Sequence, residues 1–227
     1  MTVDTTADLS SRAPNDATFT RFSTGVPGLD EVLGGGIPEY SFNVIAGAPG
    51  TGKTTLTQQI MFNLASPARP ALHFTVVGEP ALKMLRYQQR FTFFDTAKVG
   101  ESIQYVNLSS AALSQGPDAL LDLIQEQVEA VGPGLVVVDS FRTMMRAAGV
   151  ATAGVEQQGF LERLAIHLTS WQATTFLVGE HTQVEEPENS VFTVADGILW
   201  MYQSIERNSS VLKLHVMKMR GQAPLPG

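Results

Sequence analysis

The stretch GAPGTGKTT, Gly47 to Thr55, follows the apolar run SFNVIA and leads into residues at helical spacing. Gly47, Gly52, Lys53 and Thr54 satisfy G-x-x-x-x-G-K-[ST], a pattern with few structural solutions. Glycines let the backbone turn tightly enough for successive amides to face one group of phosphate oxygens. The helix that follows adds the positive end of its dipole. Lys53 brings a mobile cation to the β- and γ-phosphates and Thr54 a hydroxyl to Mg2+, while Gly50, Thr51, Gly52 and Thr55 complete a nucleotide-phosphate cradle. The competing reading is a glycine-rich turn with a stray lysine. At average glycine usage that pattern arises in about one chain in a hundred of this length.

A loop of this kind needs a strand before it and a helix after it, and the rest of the chain repeats that alternation. Short apolar or β-branched runs at 41–47, 71–77, 102–108, 134–140 and 174–180 alternate with helical spacing at 53–64, 80–91, 118–131 and 155–171. Parallel neighbours need crossover connections, so this order predicts an α/β fold with a mostly parallel central sheet covered by helices. The segment GILWMYQSIERNSSVLKLHVMKM departs from it, with two strand-like runs around Glu206-Arg207-Asn208-Ser209. That is the pattern of a C-terminal antiparallel hairpin extension. Residues 1–18 are polar and read as a flexible arm, leaving 19–227 as one domain.

A nucleotide loop also needs a partner for the metal. LVVVD ends in Asp139 after four apolar residues, which places a carboxylate at the end of a buried strand, where it orients Mg2+. Ser140 either assists by hydrogen bonding or caps the strand end. Glu180 ends TTFLVGE, where strand ends commonly face ligands. It reads as a sensor of the γ-phosphate, a reserve base, or a plain exposed strand-end glutamate.

Composition removes other classes. There is no cysteine, and the four histidines at 73, 167, 181 and 215 lack ligand spacing, which argues against a metal cluster. No apolar run approaches a membrane span, and the N-terminus lacks the pattern of a secretory signal, so a cytoplasmic setting is the expectation. The net charge of −7 argues against nucleic acid as a partner.

TGVPGLDEVLGGGIPEYSFNVIAGAPGTGKTTLTQQIMFNLA, together with VVVDS and VMKMRG further on, resembles a KaiC-type ATPase domain of the RecA superfamily. The resemblance covers about 20–222 and implies a RecA-like P-loop fold. It also implies slow ATP hydrolysis with Mg2+, a homohexameric ring with ATP between subunits, and regulatory protein partners. In the family a K-x-R-G segment reaches the neighbour's nucleotide, which here implicates Lys218, Met219 and Arg220. Two cations at period two share a strand face, which suits clamping a phosphate, though a solvated edge strand looks the same. Phe91 aligns with an adenine-side residue and fits helix-end packing equally well.

Turnover needs a group that positions the attacking nucleophile. Where the family commonly shows two adjacent glutamates after the loop helix, this chain has Gly78 and Glu79. The resemblance makes Glu79 the catalytic carboxylate, and a helix N-terminal acid is the bland alternative. The family's phosphorylated Ser-Thr pair aligns with Phe192 and Thr193, so Thr193 retains half of an autokinase site. Three functions follow: an oligomeric ATPase, a nucleotide-gated scaffold with weak turnover, or a RadA-like DNA mediator. The DNA-facing loop of the third falls at 144–158, with one arginine and no lysine.

Overall fold

A computed structural model describes residues 20–76, 81–108, 114–150, 155–181 and 190–221. In chain order the elements are β1 (Arg21–Phe22), α1 (Leu29–Val32), β2 (Ile37–Pro38), β3 (Phe42–Gly47), α2 (Lys53–Leu64), β4 (Ala71–Val76) and α3 (Ala81–Gln88). There follow β5 (Ile103–Leu108), α4 (Pro117–Val131), β6 (Leu135–Asp139), α5 (Phe141–Ala147), α6 (Val155–Ser170), β7 (Thr174–Glu180), α7 (Ser190–Val194), β8 (Gly197–Glu206) and β9 (Ser209–Met219).

Among the described residues, seven strands form one sheet in the order β5-β4-β6-β7-β3-β8-β9. Every pairing is parallel except β8–β9, the antiparallel hairpin. This is the RecA-like α/β arrangement. The strands alternate between two apolar layers, as period-two geometry requires. Val44, Phe74, Val138 and Leu177 face α4, α5 and α6, packing on Ile124, Phe141 and Phe160. Ile45, Val137, Phe176 and Val178 face the other way, onto Ile60, Met61 and Leu64 of α2. Both faces are covered, which is why these strands read as continuous apolar runs.

Helix α4 has Pro117 in its first turn and stops at Gly132, whose φ of 59° lies in the left-handed region. The helical spacing at 80–91 overshoots: α3 ends at Gln88, and the chain turns through Phe91 N–H donating to Gln88 O at 2.9 Å. Two features depart from the sequence expectation. The segment 144–158 begins as the end of α5 and finishes as the start of α6. Helix α5 exists because Ser140 caps it and Phe141, Met144 and Met145 are buried. A small two-stranded sheet of β1 and β2 sits outside the main one. Among the described residues no helix is long and apolar enough to cross a membrane.

Candidate functional site

The loop begins where β3 ends. Gly47 pairs with Met201 of β8, and a Cβ on Gly47, at φ 147°, would meet the Met201 carbonyl oxygen at 2.0 Å. Only glycine passes so close to a neighbouring backbone. Gly50 and Gly52 have φ of 78° and 86°, and Gly52 is the residue from which α2 starts. A Cβ on Gly50 would meet nothing within 4 Å, so there the backbone conformation alone calls for glycine.

Lys53 is buried in its own loop. Its Nζ donates to Gly47 O at 2.9 Å and to Ala48 O at 2.7 Å. Burial lowers its pKa, an effect opposed by the nearby Glu180 and Asp139 carboxylates. The Thr51 hydroxyl also donates to Ala48 O, at 2.9 Å. Thr54 Oγ1 donates to Asp139 Oδ2 at 2.6 Å, bringing the loop helix and the end of β6 together. A cavity of about 340 Å³ opens over these groups, bordered by Gly50, Lys53, Thr54, Thr55, Asp139 and Glu180.

These residues fit a magnesium nucleotide. The glycine positions leave the cradle free of side chains, and a cation stands among carbonyl oxygens that it can exchange for phosphate. A hydroxyl and a carboxylate in contact supply hard oxygen donors of the kind Mg2+ takes.

Glu180 ends β7 beside Gly47 in the sheet register and borders the cavity. Its backbone is tied down by Arg142 Nη1, which donates to Glu180 O at 2.8 Å. Ser140 acts as the cap of α5, accepting from Thr143 N–H at 3.4 Å. Gly78 and Glu79 lie outside the described residues.

The remaining candidates sit apart from the cavity. Phe91 is 45 % exposed and stacks on Phe93 at 5.3 Å, and Phe93 in turn meets Phe62 at 5.9 Å. Phe62 lies nine residues along α2 from Lys53, about 14 Å at helical rise, so Phe93 packs at the C-terminal end of α2.

Lys218, Met219 and Arg220 divide by role. Met219 is buried opposite Gly197. The two cations are engaged within their own chain, on residues 192–196. Lys218 Nζ donates to Phe192 O at 3.3 Å and Thr193 O at 3.4 Å, and Arg220 Nη1 bonds Asp196 Oδ1 at 2.8 Å. Burial and the neighbouring Arg220 lower the Lys218 pKa. Thr193 itself is exposed on α7.

Sequence reasoning missed three contributors. Asp196 both pairs with Arg220 and accepts from Phe42 N–H at 2.9 Å, anchoring the start of β3. An acid immediately before the strand residue Gly197 was the available signal. Arg142 gave none. Leu212 lies against the loop at Gly52 through a pairing that only the hairpin register reveals.

The KaiC ATPase family model matches residues 22–224. A UPF0273 protein of Aeropyrum pernix is 27% identical over 220 residues, 88% of this chain and 85% of its own. A UPF0273 protein of Pyrococcus horikoshii is 29% identical over 138 residues, covering 55% of this chain and 56% of the relative. The DNA repair protein RadA of Mycobacterium tuberculosis is 36% identical over 135 residues, 59% of this chain but 25% of the relative. The aligned region thus spans about half the length of the Pyrococcus relative and a quarter of RadA.

Proposed function

The chain belongs to the KaiC ATPase family, and from that premise we propose that it binds Mg2+–ATP on the loop 47–55 and hydrolyses it slowly, as one subunit of a homohexameric regulatory ring in the cytoplasm. The observation that carries this reading is the 2.6 Å contact of Thr54 with Asp139 beneath a loop whose lysine is already turned inward.

Lys53 exchanges the Gly47 and Ala48 carbonyls for phosphate oxygens when nucleotide enters. Thr54 and Asp139 hold Mg2+, which when bound neutralises phosphoryl charge. Glu79 orients the attacking water, and Glu180 at the cavity edge senses the γ-phosphate or stands as a reserve base. Lys218 and Arg220 leave the 192–196 segment and stabilise developing charge on the neighbour's nucleotide. Met219, buried between them, fixes the strand that presents both cations.

The test measures phosphate release and molecular mass together, with Mg2+–ATP, for the unaltered chain and Glu79→Gln. Nucleotide-dependent assembly with turnover abolished by the substitution supports the proposal. A monomer that hydrolyses ATP at full rate contradicts the ring.

A second reading is a nucleotide-gated scaffold with feeble turnover. Gly78 at a position where the family commonly has glutamate favours it, as does the engagement of both trans cations within their own chain. Assembly without phosphate release in either protein selects it. Exposed Thr193 is the acceptor if the chain transfers phosphate to itself, which mass spectrometry after ATP incubation reads directly. Similarity to a DNA repair protein raises the mediator reading, and the charge of −7 opposes it. Absence of single-strand binding at low salt disposes of it.

A further inference from the structure

Helix α5 buries Phe141, Met144 and Met145, three positions on one side of the helix. Arg142 and Arg146, one turn apart, are left together on another side, the first half-buried and the second exposed. A second cavity opens there, of about 310 Å³, bordered among the described residues by Ser140, Arg142, Thr143, Arg146 and Glu180. Ser140 and Glu180 also border the cavity over the loop 47–55, so the two spaces adjoin at the ends of β6 and β7.

The charge changes sign across that shared wall. The loop cavity carries Lys53 against the Asp139 and Glu180 carboxylates, whereas the second carries two arginines against Glu180 alone. Its donors are side chains suited to an oxyanion. The Ser140 and Thr143 hydroxyls lie 3.2 Å apart, and two hydroxyls in contact use one proton between them and leave the other to donate outward. Arg142 is held in place by its bond to the Glu180 carbonyl. Among the described residues Arg146 is in no ion pair. A guanidinium presents paired N–H groups that match two oxygens of a tetrahedral anion.

We propose that this second cavity receives the inorganic phosphate that leaves the loop after hydrolysis. This rests on the ATPase reading above. Water adds to the γ-phosphorus as its bond to the bridging oxygen breaks, giving ADP, hydrogen phosphate and a proton. The loop retains the ADP. The phosphate, formed among carboxylates, passes the wall of Ser140 and Glu180 to the two arginines, where the local charge favours it.

The experiment titrates inorganic phosphate calorimetrically into the full chain saturated with the magnesium complex of an ATP analogue whose β–γ bridge is NH. The analogue fills the loop through its γ position, so added phosphate has to bind elsewhere. The variants are Arg146→Ala and Arg146→Lys, with Arg163→Ala on α6 as a remote control. One phosphate per subunit is expected. Arg146→Ala should weaken it at least about tenfold, the scale of one lost charge-assisted hydrogen bond, while affinity for the analogue stays unchanged. Arg146→Lys, which keeps the charge and loses the fork, should fall between, and Arg163→Ala should bind as the unaltered chain does.

Absence of phosphate binding to the loaded chain overturns the site and leaves the nucleotide loop standing. An affinity unchanged in Arg146→Ala overturns it as well, as does equal weakening in Arg163→Ala, which would mark a diffuse response to surface charge. Failure of the analogue itself to bind contradicts nucleotide binding, and the passage of phosphate from the loop falls with it.

Discussion

Thr54 and Asp139 touch at 2.6 Å although 85 residues separate them in the chain. The contact joins the first turn of α2 to the last residue of β6, two strands away from β3. Parallel strands end together at one edge of the sheet, so two unrelated stretches deliver a hydroxyl and a carboxylate to the same point. Asp139→Asn keeps the shape and removes the charge. The magnesium-dependent gain in ATP affinity should fall at least about tenfold, by titration with and without Mg2+.

Gly47 and Gly50 both have positive φ but differ in surroundings. Gly47→Ala drives a Cβ to 2.0 Å from the Met201 carbonyl, whereas Gly50→Ala meets only open space. Gly47→Ala should destabilise by more than about 3 kcal/mol or fail to fold, against about 1–2 kcal/mol for Gly50→Ala. Urea unfolding of the two variants checks the order.

How much of this was legible in the sequence depends on how far apart the partners lie. The loop 47–55 and Asp139 were readable because each is a local pattern whose chemistry fixes its place at a strand end. Helix α5 was not: its cap, Ser140, directly follows the strand-end Asp139, and 144–158 read only as the place where a DNA-facing loop would fall. The confinement of Lys218 on the Phe192 and Thr193 carbonyls was equally hidden. Alternation showed that the two cations share a face, but not that this face meets α7. Leu212 at Gly52 depends on the β8–β9 register, which no local pattern specifies.

Asp196 and Arg220 should respond unequally. The pair is largely exposed on the arginine side, so Arg220→Ala should cost at most about 1 kcal/mol. Asp196→Ala also abandons the Phe42 N–H and should cost about 1–3 kcal/mol. Chemical denaturation separates them, and equal losses would mean that the Phe42 contact contributes little.

His73 sits in the middle of β4, fully buried, and burial lowers its pKa from 6.5 to about 3. A base with a depressed folded-state value binds its proton more readily when unfolded. Stability is therefore complete above pH 6.5 and falls as the pH drops toward about 3. The slope from this residue is at most about 1.4 kcal/mol per pH unit. Comparing urea midpoints at mildly acidic and neutral pH, His73→Leu should show a weaker acid sensitivity than the unaltered chain.

In the proposed ring, Lys53 of one subunit and Arg220 of its neighbour act on the same nucleotide. Lys53→Ala and Arg220→Ala are each expected to lose phosphate release when assayed alone. Each variant supplies what the other lacks, so mixing equal amounts under conditions that allow subunit exchange should restore about a quarter of the interfaces. Recovery of phosphate release to that order is the predicted result. A mixture as inactive as its two components, with both shown to assemble and exchange, would contradict catalysis across the interface.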